Sequence, residues 1–395
     1  MRARTTRRDF LRMMGAAAGV AVGATLPGVP PGASAETSPP TDGLEKRPLG
    51  KTGFQVRNIG CGAMTTRDPE VIRFAVDRGV DYVDTAARYM NGENERIVGR
   101  ALDGVRQKVI LATKAKIGTV DEMILSAENS LRSLKTDVID LLQLHNLTTE
   151  AEVTDERARE AFQKLIDQGK VRAVGVTTHS GQETVLRAVA KHGFYKTVLV
   201  AYNFRSDTGI VAKVKGALEL SPGLTQTIKE VAAAGIGIIA MKTQAGGYES
   251  PPGGFSPHQA ALAWALANPG VTMAIPGMTS YAQVEDNLGA RGKRFALADR
   301  IALRRYALEI GDRHCGLCGA CGGVCPSGVE VPNVLRALTY LEGYREEDLA
   351  RSTYGSLPPG RNAAACGECE TCLHTCRLRL PVGRLARRAH ARLAG

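Results

Sequence analysis

Apolar and polar positions follow two alternating patterns between residues 56 and 288. Short apolar runs indicate buried strands, and apolar residues spaced three or four apart indicate amphipathic helices. The predicted strands are 56–62, 82–84, 109–113, 138–144, 171–176, 198–202, 236–240 and 271–275. The predicted helices are 69–78, 93–102, 120–134, 155–168, 181–191, 224–234, 257–267 and 281–288. Eight strand–helix pairs over roughly 240 residues are typical of a (β/α)8 TIM barrel.

Alternating strands and helices also occur in open, doubly wound α/β sheets. Those sheets commonly carry a Gly-x-Gly-x-x-Gly turn after an early strand, and no such turn follows an early strand in this sequence. An α/β barrel is therefore the predicted fold of residues 47–296. A connecting helix is predicted at 297–312, and a small separate domain at 313–395.

Polar residues stand at the ends of three successive predicted strands. Asp84 ends the second strand, Lys114 follows the third and His145 follows the fourth, while Tyr89 lies in the loop after Asp84. All strands of a parallel barrel end at the same face, so we expect these side chains to meet at one mouth. An acid, a phenol, an amine and an imidazole in one place can transfer protons.

The segments around these residues contain a series of short motifs: Arg47-Pro-Leu-Gly-Lys-Thr-Gly, Asp84-Thr-Ala-x-x-Tyr89, Gly92-x-x-Glu95-x-x-x-Gly99, Thr113-Lys114 and Leu144-His145. In order and spacing they resemble the aldo/keto reductase family. The resemblance covers residues 47–290. It implies that the barrel interconverts carbonyl compounds and alcohols.

The resemblance also implies a role for each of the four residues. Tyr89 is expected to donate a proton to the carbonyl oxygen. An unperturbed phenol has a pKa of about 10, so a cationic Lys114 is expected to lower the pKa of Tyr89. Asp84 is expected to hold Lys114 in place, and a neutral His145 to hydrogen-bond and orient the carbonyl group.

A nicotinamide site is implied at the later strand ends. Thr177 and Thr178 occupy the position at which the family often has Ser-Asn. Met241 and Lys242 occupy the position at which an aromatic residue often stacks on the nicotinamide. These positions are the predicted contacts of a nicotinamide ring, although the residue types differ from those of the family.

The phosphate-binding pattern of the family matches in frame at Gly277 and Asn287. Gly277 and Gln283 stand, however, where NADP-preferring members usually carry Lys and Arg. A 2′-phosphate is bound best by such cations, so strong NADP preference is not expected. The remaining alternatives are NAD, a rearranged nucleotide site that uses Lys242, and another cofactor such as a flavin.

Eight of the nine cysteines lie after residue 314, in two runs of the form C-x2-C-x2-C-x3-C. Three thiolates at this spacing can bind three irons of one cubane, while the fourth binds the other cluster of a two-cluster ferredoxin-like domain. The first [4Fe-4S] cluster is assigned to Cys315, Cys318, Cys321 and Cys376. The second is assigned to Cys366, Cys369, Cys372 and Cys325.

Zinc and disulfides are the alternatives for these eight thiols. Structural zinc sites usually pair one C-x2-C with a distant one, and disulfides occur in exported chains. The interval between the two runs contains helical patterns at 331–343 and 346–351, so the domain resembles an α-helical ferredoxin. Cys61 lies within the first predicted strand and is expected to be an inert buried thiol.

The amino-terminal residues resemble a twin-arginine export signal. Arg7 and Arg8 precede Asp-Phe-Leu-Arg, a charge-free run at 13–26 and the small-residue cleavage pattern Ala33-Ser-Ala35. As a helix that run is about 21 Å long, too short for a bilayer of about 30 Å. We expect a signal at 1–35 and a linker at 36–46, with a disordered basic tail as the alternative. The folded chain is then exported to the periplasm or another extracytoplasmic space, without a membrane span in its mature form.

The formal net charge is +11, and the predicted signal contributes five Arg and one Asp to it. No basic patch is interleaved with aromatic residues, so nucleic-acid binding is not expected. The expected partners are a small carbonyl or alcohol substrate and a redox partner protein that docks on the basic segment 377–392. The predicted function is an iron–sulfur oxidoreductase of the aldo/keto reductase type with a nicotinamide hydride carrier. The alternative is an electron-transfer oxidoreductase whose barrel holds a different cofactor, such as a flavin, and whose clusters exchange electrons with the partner.

Overall fold

The computed structural model describes residues 45–205, 223–246, 256–367, 369 and 371–395. The predicted signal peptide at 1–35 lies outside these ranges, as does the predicted linker apart from its last two residues. Within them, no helix is both long enough and apolar enough to cross a bilayer.

A parallel sheet of eight strands forms the centre of the molecule, and the strands follow one another in the sheet as they do in the chain. The strands are β1 (Cys61–Gly62), β2 (Tyr82–Asp84), β3 (Ile110–Ala115), β4 (Ile139–Leu144), β5 (Val171–Thr178), β6 (Thr197–Ala201), β7 (Gly237–Met241) and β8 (Met273–Ala274). Parallel bridges join Ile59 to Ala274 and Gly62 to Gly277, so the first and last strands meet and the sheet closes on itself. This is the arrangement of a (β/α)8 barrel.

Amphipathic helices connect the strands and pack on the outside of the sheet. They are Pro69–Asp77, Glu93–Ala101, Val120–Leu134, Glu150–Val153, Glu156–Asp167, Gln182–His192, Gly223–Ala233, Pro257–Leu266 and Tyr281–Leu288. Local sequence fixes where several of them begin. The Asp68 side chain accepts a hydrogen bond from the Glu70 N–H, and Thr119 and Glu122 form a capping box.

The first predicted strand, 56–62, is wrong in extent. Its last residues form β1, but Gln55–Val56 pairs with Arg47–Pro48 in an antiparallel hairpin instead. The hairpin places Leu49 in the core inside the barrel, where it is completely buried. Lys51 donates its backbone N–H to the Gly235 carbonyl just before β7, which fixes the hairpin at the end where strands begin. Burial of the apolar Leu49 side chain stabilises the hairpin relative to a single continuous strand.

The chain after the barrel is helical, with no strand among its described residues from 297 onward. Helix Leu297–Ile310 packs on helix Pro257–Leu266 of the barrel. The later helices are Val331–Glu342, Glu347–Gly355, Thr371–Thr375 and Val382–Leu393. Their apolar side chains form a second core, separate from that of the barrel, that includes Val334, Leu338, Tyr354 and Ala386.

This C-terminal region covers the end of the barrel at which the strands finish. Leu317 is buried in the core inside the barrel together with Met241 of β7. Barrel side chains hold the backbone around Leu317: Gln182 Nε2 donates to the Leu317 carbonyl at 2.7 Å, and Asn203 Nδ2 donates to the Gly316 carbonyl at 3.1 Å. The first cysteine run is therefore seated in the mouth of the barrel.

Candidate active site

The four residues predicted to act together meet at the mouth of the barrel. Asp84 is the last residue of β2, Lys114 lies on β3 and His145 directly follows β4. Tyr89 begins a short helical turn after β2. The Lys114 ammonium lies 4.8 Å from the centroid of the Tyr89 ring, and the rings of Tyr89 and His145 meet edge to face with centroids 5.9 Å apart.

Asp84 and Lys114 form a buried ion pair. Lys114 Nζ donates to the Asp84 carboxylate and, at 2.6 Å, to the Thr85 carbonyl oxygen. Gln143 Nε2 donates to the other carboxylate oxygen at 2.9 Å. Burial raises the pKa of Asp84 and lowers the pKa of Lys114, and each charge opposes the shift of the other. The pair fixes the ammonium in place, and the carboxylate neutralises its charge locally.

The Tyr89 hydroxyl does not have the lowered pKa that the sequence predicts. Burial raises the pKa of Tyr89 well above its usual value, and Asp84 and Tyr340 raise it further against the opposing charge of Arg336. The prediction was wrong because burial, followed by the Asp84 carboxylate, disfavours the phenolate. Tyr89 therefore remains protonated at neutral pH.

His145 is a neutral imidazole in this site. Burial lowers its pKa well below the usual value, and the cations of Lys114, Arg336, Lys116 and Arg88 lower it further. A neutral imidazole has one nitrogen that donates and one that accepts. His145 can therefore hydrogen-bond a carbonyl oxygen, which agrees with the role expected from the sequence.

The barrel and these four residues lie in a region that matches a known family. The model of the aldo/keto reductase family matches residues 59–250 and 252–300, more than half of the chain. The chain belongs to the aldo/keto reductase family. The two cysteine runs lie after the matched region.

Individual relatives match parts of the chain. Aldo-keto reductase YhdN of Bacillus subtilis is 34% identical over 171 residues, which are 37% of this chain and 51% of that protein. The uncharacterized oxidoreductase YqkF of the same organism is 26% identical over 289 residues, 64% of this chain and 92% of that protein. This chain therefore spans about half the length of YhdN and most of YqkF.

Solved aldo/keto reductases share the fold. The enzyme AKR11C1 from Bacillus halodurans superposes with a TM-score of 0.54 at 24% identity, over 66% of this chain and 96% of that chain. An aldo/keto reductase from Klebsiella pneumoniae in complex with NADPH gives a TM-score of 0.52 at 25% identity, over 67% of this chain and 95% of that chain.

In the present chain, Thr177 and Thr178, which are predicted to contact a nicotinamide, are completely buried. The Thr177 hydroxyl accepts from the Asn146 N–H at 2.7 Å, and the Thr178 hydroxyl donates to the Ser180 carbonyl at 2.8 Å. Met241 packs in the core inside the barrel, against the segment that carries the first cysteine run. All three side chains are thus engaged by protein groups.

Lys242, directly after β7, is covered by aromatic residues of the C-terminal region. Its ammonium lies 4.6 Å from the centroid of the Tyr340 ring and 5.1 Å from that of Tyr344. Its Nζ also donates a hydrogen bond to Met64 Sδ at 3.6 Å. Burial raises the pKa of Tyr340, but Lys242, Arg336 and Lys114 together outweigh this effect and leave the pKa below its usual value.

The other end of the predicted nucleotide site is also filled. Asn287 is completely buried, donates to the Gly277 carbonyl at 3.2 Å and accepts from Gln244 at 2.8 Å. Gly277 itself is exposed. All six residues predicted to contact a nucleotide lie in the described part of the chain, and five of them are engaged by protein groups.

Arg336 and Tyr340 were not singled out from the sequence. Arg336 Nη1 donates to Asn146 Oδ1 at 2.9 Å, and His179 Nδ1 contacts the same oxygen at 2.8 Å. A signal was present, because Arg336, Tyr340 and Tyr344 are spaced four apart and so share one helical face. Nothing in that spacing indicates that the face meets the barrel.

Four cysteines line one cavity between the barrel and the C-terminal region. The cavity is small, and its lining includes His179, Arg336 and all four thiols of the first predicted set, Cys315, Cys318, Cys321 and Cys376. Backbone N–H groups are directed at two of the sulfurs. Leu317 N lies 3.3 Å from Cys315 Sγ, and Leu380 N lies 3.4 Å from Cys376 Sγ.

The four thiols of the second predicted set interact with one another. Burial raises the pKa of Cys372, and the charges of Cys325, Cys369 and Cys366 raise it further. Cys369 is exposed to solvent. All nine cysteines lie in the described residues and none forms a disulfide. Among the described residues, no group of three or more His, Cys, Asp or Glu side chains is close enough together to hold a single metal ion. The buried thiol of Cys61 lies in β1, apart from both sets.

Proposed function

We propose that this protein is an oxidoreductase that interconverts a carbonyl compound and an alcohol at the mouth of its barrel. The observation that carries the proposal is the meeting of Asp84, Tyr89, Lys114 and His145 from separate segments. Tyr89 donates its proton to the carbonyl oxygen, and neutral His145 hydrogen-bonds the same oxygen. The buried pair of Asp84 and Lys114 holds the Tyr89 ring in position.

Tyr89→Phe tests this assignment, because it removes one hydroxyl and keeps the ring. Loss of a general acid costs about 10²- to 10⁴-fold in rate, so kcat/KM for aldehydes and ketones should fall by that order. Tyr195→Phe is the matched control, since its phenol packs against Phe162 and Phe194 just before β6, at the opposite end of the barrel. It should keep kcat/KM within a few-fold of wild type. Wild-type turnover by Tyr89→Phe contradicts the assignment.

We also propose that the C-terminal region holds two [4Fe-4S] clusters, one on each set of four thiols. The shared cavity and the N–H groups directed at Cys315 and Cys376 support the first site. Each thiolate of a cubane binds a different iron, so the four sulfurs need not surround a single ion. The mutual interaction of the other four thiols supports the second site. When bound, such clusters supply one-electron transfer.

Metal content after anaerobic purification tests the clusters. Cys376→Ala removes a thiol of the first set and should lower the iron content by about half, because one of two clusters is lost. Cys61→Ala makes the same change at a buried thiol of β1 and should leave the iron content unchanged. Zinc in place of iron in the wild type, or equal iron in both variants, contradicts the proposal.

The electrons for the reaction come either from a nicotinamide or from the proposed clusters. The relative from Klebsiella pneumoniae was solved with NADPH, which favours a nicotinamide hydride carrier. In this chain the predicted nicotinamide contacts are engaged by protein groups. The cavity of the first cysteine set instead lies against His179 and Arg336, both of which contact Asn146 beside His145. These contacts favour the alternative function, in which the clusters exchange electrons with the barrel site.

The electron donor separates the two functions. Carbonyl reduction by purified protein is followed under anaerobic conditions with NADH, with NADPH and with a reduced viologen dye, which donates single electrons. Turnover with the dye alone supports the cluster function, and turnover with a nicotinamide alone supports the hydride function. Flavin absorption in the purified protein identifies a different cofactor in the barrel.

A redox partner protein with an acidic surface is proposed to dock beside the second thiol set. Cys369 is exposed there, and Arg387 Nη1 donates to the Gly367 carbonyl at 2.6 Å. The same helix, Val382–Leu393, carries further arginines. Contacts between opposite charges speed association and weaken as salt increases. A partner that binds this face should therefore reduce the protein more slowly at high salt.

A further inference from the structure

Helix Leu297–Ile310, which joins the barrel to the C-terminal region, carries apolar side chains on two opposite sides. One side is buried, and the helix packs on Pro257–Leu266 of the barrel. The apolar side chains of the other side are 71%, 48% and 76% exposed in turn: Leu297, Ile301 and Leu308. Among the described residues, the only further large apolar side chain that is exposed is Leu125. Single exposed apolar residues are common, but a patch of them on one element marks an interaction surface.

The three exposed apolar residues form one stripe along the helix. Successive residues of an α-helix are turned by about 100° and rise by about 1.5 Å. Leu297, Ile301 and Leu308 therefore lie within a sector of about 40° and extend over about 16 Å. The buried residues Leu303 and Tyr306 lie on the opposite half of the helix. The stripe consequently faces away from the barrel.

Arginines border this stripe on both sides. Arg300 and Arg304 lie on one side of it and Arg305 on the other, and all three are exposed. In the part of the chain that the structure describes, none of the three is paired with a carboxylate. Glu309 is the one exposed acid of the helix, because Asp299 is buried in an ion pair. The surface around the stripe is therefore positively charged.

The charge and the residue types of this surface match an anionic lipid layer. In such a layer arginines bind the lipid phosphates, while aliphatic side chains enter the boundary with the acyl chains. Protein interfaces depend most on aromatic residues, with leucine under-represented, whereas the stripe consists of leucine and isoleucine. A second copy of this chain would bring six arginines together across a two-fold axis, which disfavours self-association through this face.

We propose that helix Leu297–Ile310 is a membrane-surface site that lies flat on anionic phospholipids. The stripe enters the lipid layer, and the bordering arginines contact the phosphates. The helix lies in the plane of the membrane surface and does not span it. The site uses none of the four candidate catalytic residues and none of the eight clustered cysteines, so it stands independently of the proposed reaction.

Binding to vesicles tests the role of the charge. The full chain is sedimented with vesicles of phosphatidylcholine alone, or of phosphatidylcholine mixed with phosphatidylglycerol. Wild type should bind the anionic vesicles only, and more weakly at high salt. Arg304→Gln combined with Arg305→Gln should weaken this binding about 25-fold, since each arginine near an anionic surface contributes about fivefold. Arg96→Gln combined with Arg100→Gln makes the same change in net charge on a barrel helix and should have a smaller effect.

An introduced indole tests the role of the stripe. Ile301→Trp and Leu125→Trp each place an indole at an exposed apolar position, one in the stripe and one on helix Val120–Leu134. Trp264, the one natural tryptophan, is 8% exposed and gives the same background in both variants. On anionic vesicles the emission of Ile301→Trp should shift to shorter wavelength, and lipids brominated on their acyl chains should quench it. Leu125→Trp should show neither change.

The indole separates the stripe from other segments that bind lipid. The amino-terminal run 13–26 or the basic helix Val382–Leu393 can also attach the chain to vesicles, but neither brings position 301 into the acyl region. Bound Ile301→Trp protein that brominated lipids do not quench overturns the proposal, as does wild type that binds no anionic vesicle. A wild type that is dimeric in solution, with a monomeric Leu308→Glu variant, also overturns it, because the stripe is then a contact between two copies.

Discussion

His145 makes the stability of the protein depend on pH. Its pKa is lowered in the folded state by burial and by the surrounding cations. Below a pH of about 6.5 the unfolded chain binds a proton at this histidine and the folded chain does not. Stability is therefore lost as pH falls through that value, with a slope of up to about 1.4 kcal/mol per pH unit. The midpoint of urea unfolding, measured between pH 7 and about pH 5, should fall accordingly.

His145→Gln should flatten this dependence. Its loss of stability between the two pH values should be smaller than that of wild type, because the glutamine binds no proton in either state. His192→Gln is the control, since His192 is exposed at the end of its helix. Identical pH dependence in His145→Gln and wild type argues against a neutral buried imidazole.

The meeting of the four candidate residues could be predicted because strand ends in a parallel barrel converge on one face. Asp84 and His145 needed no other information. The direction of the pKa shift of Tyr89 could not be predicted, because it depends mainly on how deeply the phenol is buried, which the sequence of its loop does not show. The pairing of Lys242 with Tyr340 was not predicted either, since it joins two parts of the chain that share no local pattern.

Among the elements, the buried strands were predicted most reliably. Strands such as β4 and β5 are buried at nearly every position, because the barrel interior lies on one side and helices on the other. The amino-terminal hairpin was missed because Val56 lies close in sequence to Ile59 and β1, so one strand was predicted in place of two elements. The burial of Leu49 inside the barrel distinguishes the hairpin from β1, and the sequence does not show it.

Gly343, at the end of helix Val331–Glu342, sets how closely this helix approaches the barrel. A Cβ at Gly343 would lie 1.9 Å from the Gly246 carbonyl oxygen, just after β7. Gly343→Ala should push the helix away from that loop and cost about 1–3 kcal/mol, the usual range for overpacking. Urea unfolding measures this loss of stability.

Gly355→Ala is the matched control for this element. Gly355 also lies at a helix end of the C-terminal region, but a Cβ there has no atom within 4 Å. The alanine should leave stability unchanged or raise it by up to about 1 kcal/mol, because it restricts the unfolded chain. Equal unfolding midpoints for the two variants indicate that the helix does not press on the β7 loop.

The whole molecule is arranged around the contact between its two cores. Leu317, which belongs to the first cysteine run, is buried in the core inside the barrel. Arg67 of the barrel forms an ion pair with Glu346 of the C-terminal region at 2.8 Å. Arg205 Nη1 donates to the His314 carbonyl at 2.8 Å. The sequence predicts each part separately, because each has its own apolar pattern. Their docking rests on single side chains from distant segments, which carry no periodic signal.

We propose that the barrel, the helices and the proposed clusters assemble before the chain is exported, since the first cysteine run is seated in the mouth of the barrel. The paired residues Arg7 and Arg8 are proposed to direct export of the chain in this folded state. Arg7→Lys combined with Arg8→Lys keeps the charge and removes both guanidinium groups. The double variant should remain in the cytoplasm with the iron content and carbonyl turnover of the wild type, whereas wild-type protein should be recovered outside it.

Arg2→Lys combined with Arg4→Lys is the control for this experiment, because it makes the same two changes at arginines outside the proposed motif. This variant should be exported like wild type, since the overall charge of the segment and the paired arginines are both retained. Immunodetection in cell fractions, with metal content measured in each fraction, distinguishes the variants. Equal export of both double variants shows that the pair is not an export signal. Exported protein without iron shows that the clusters are not needed before transport.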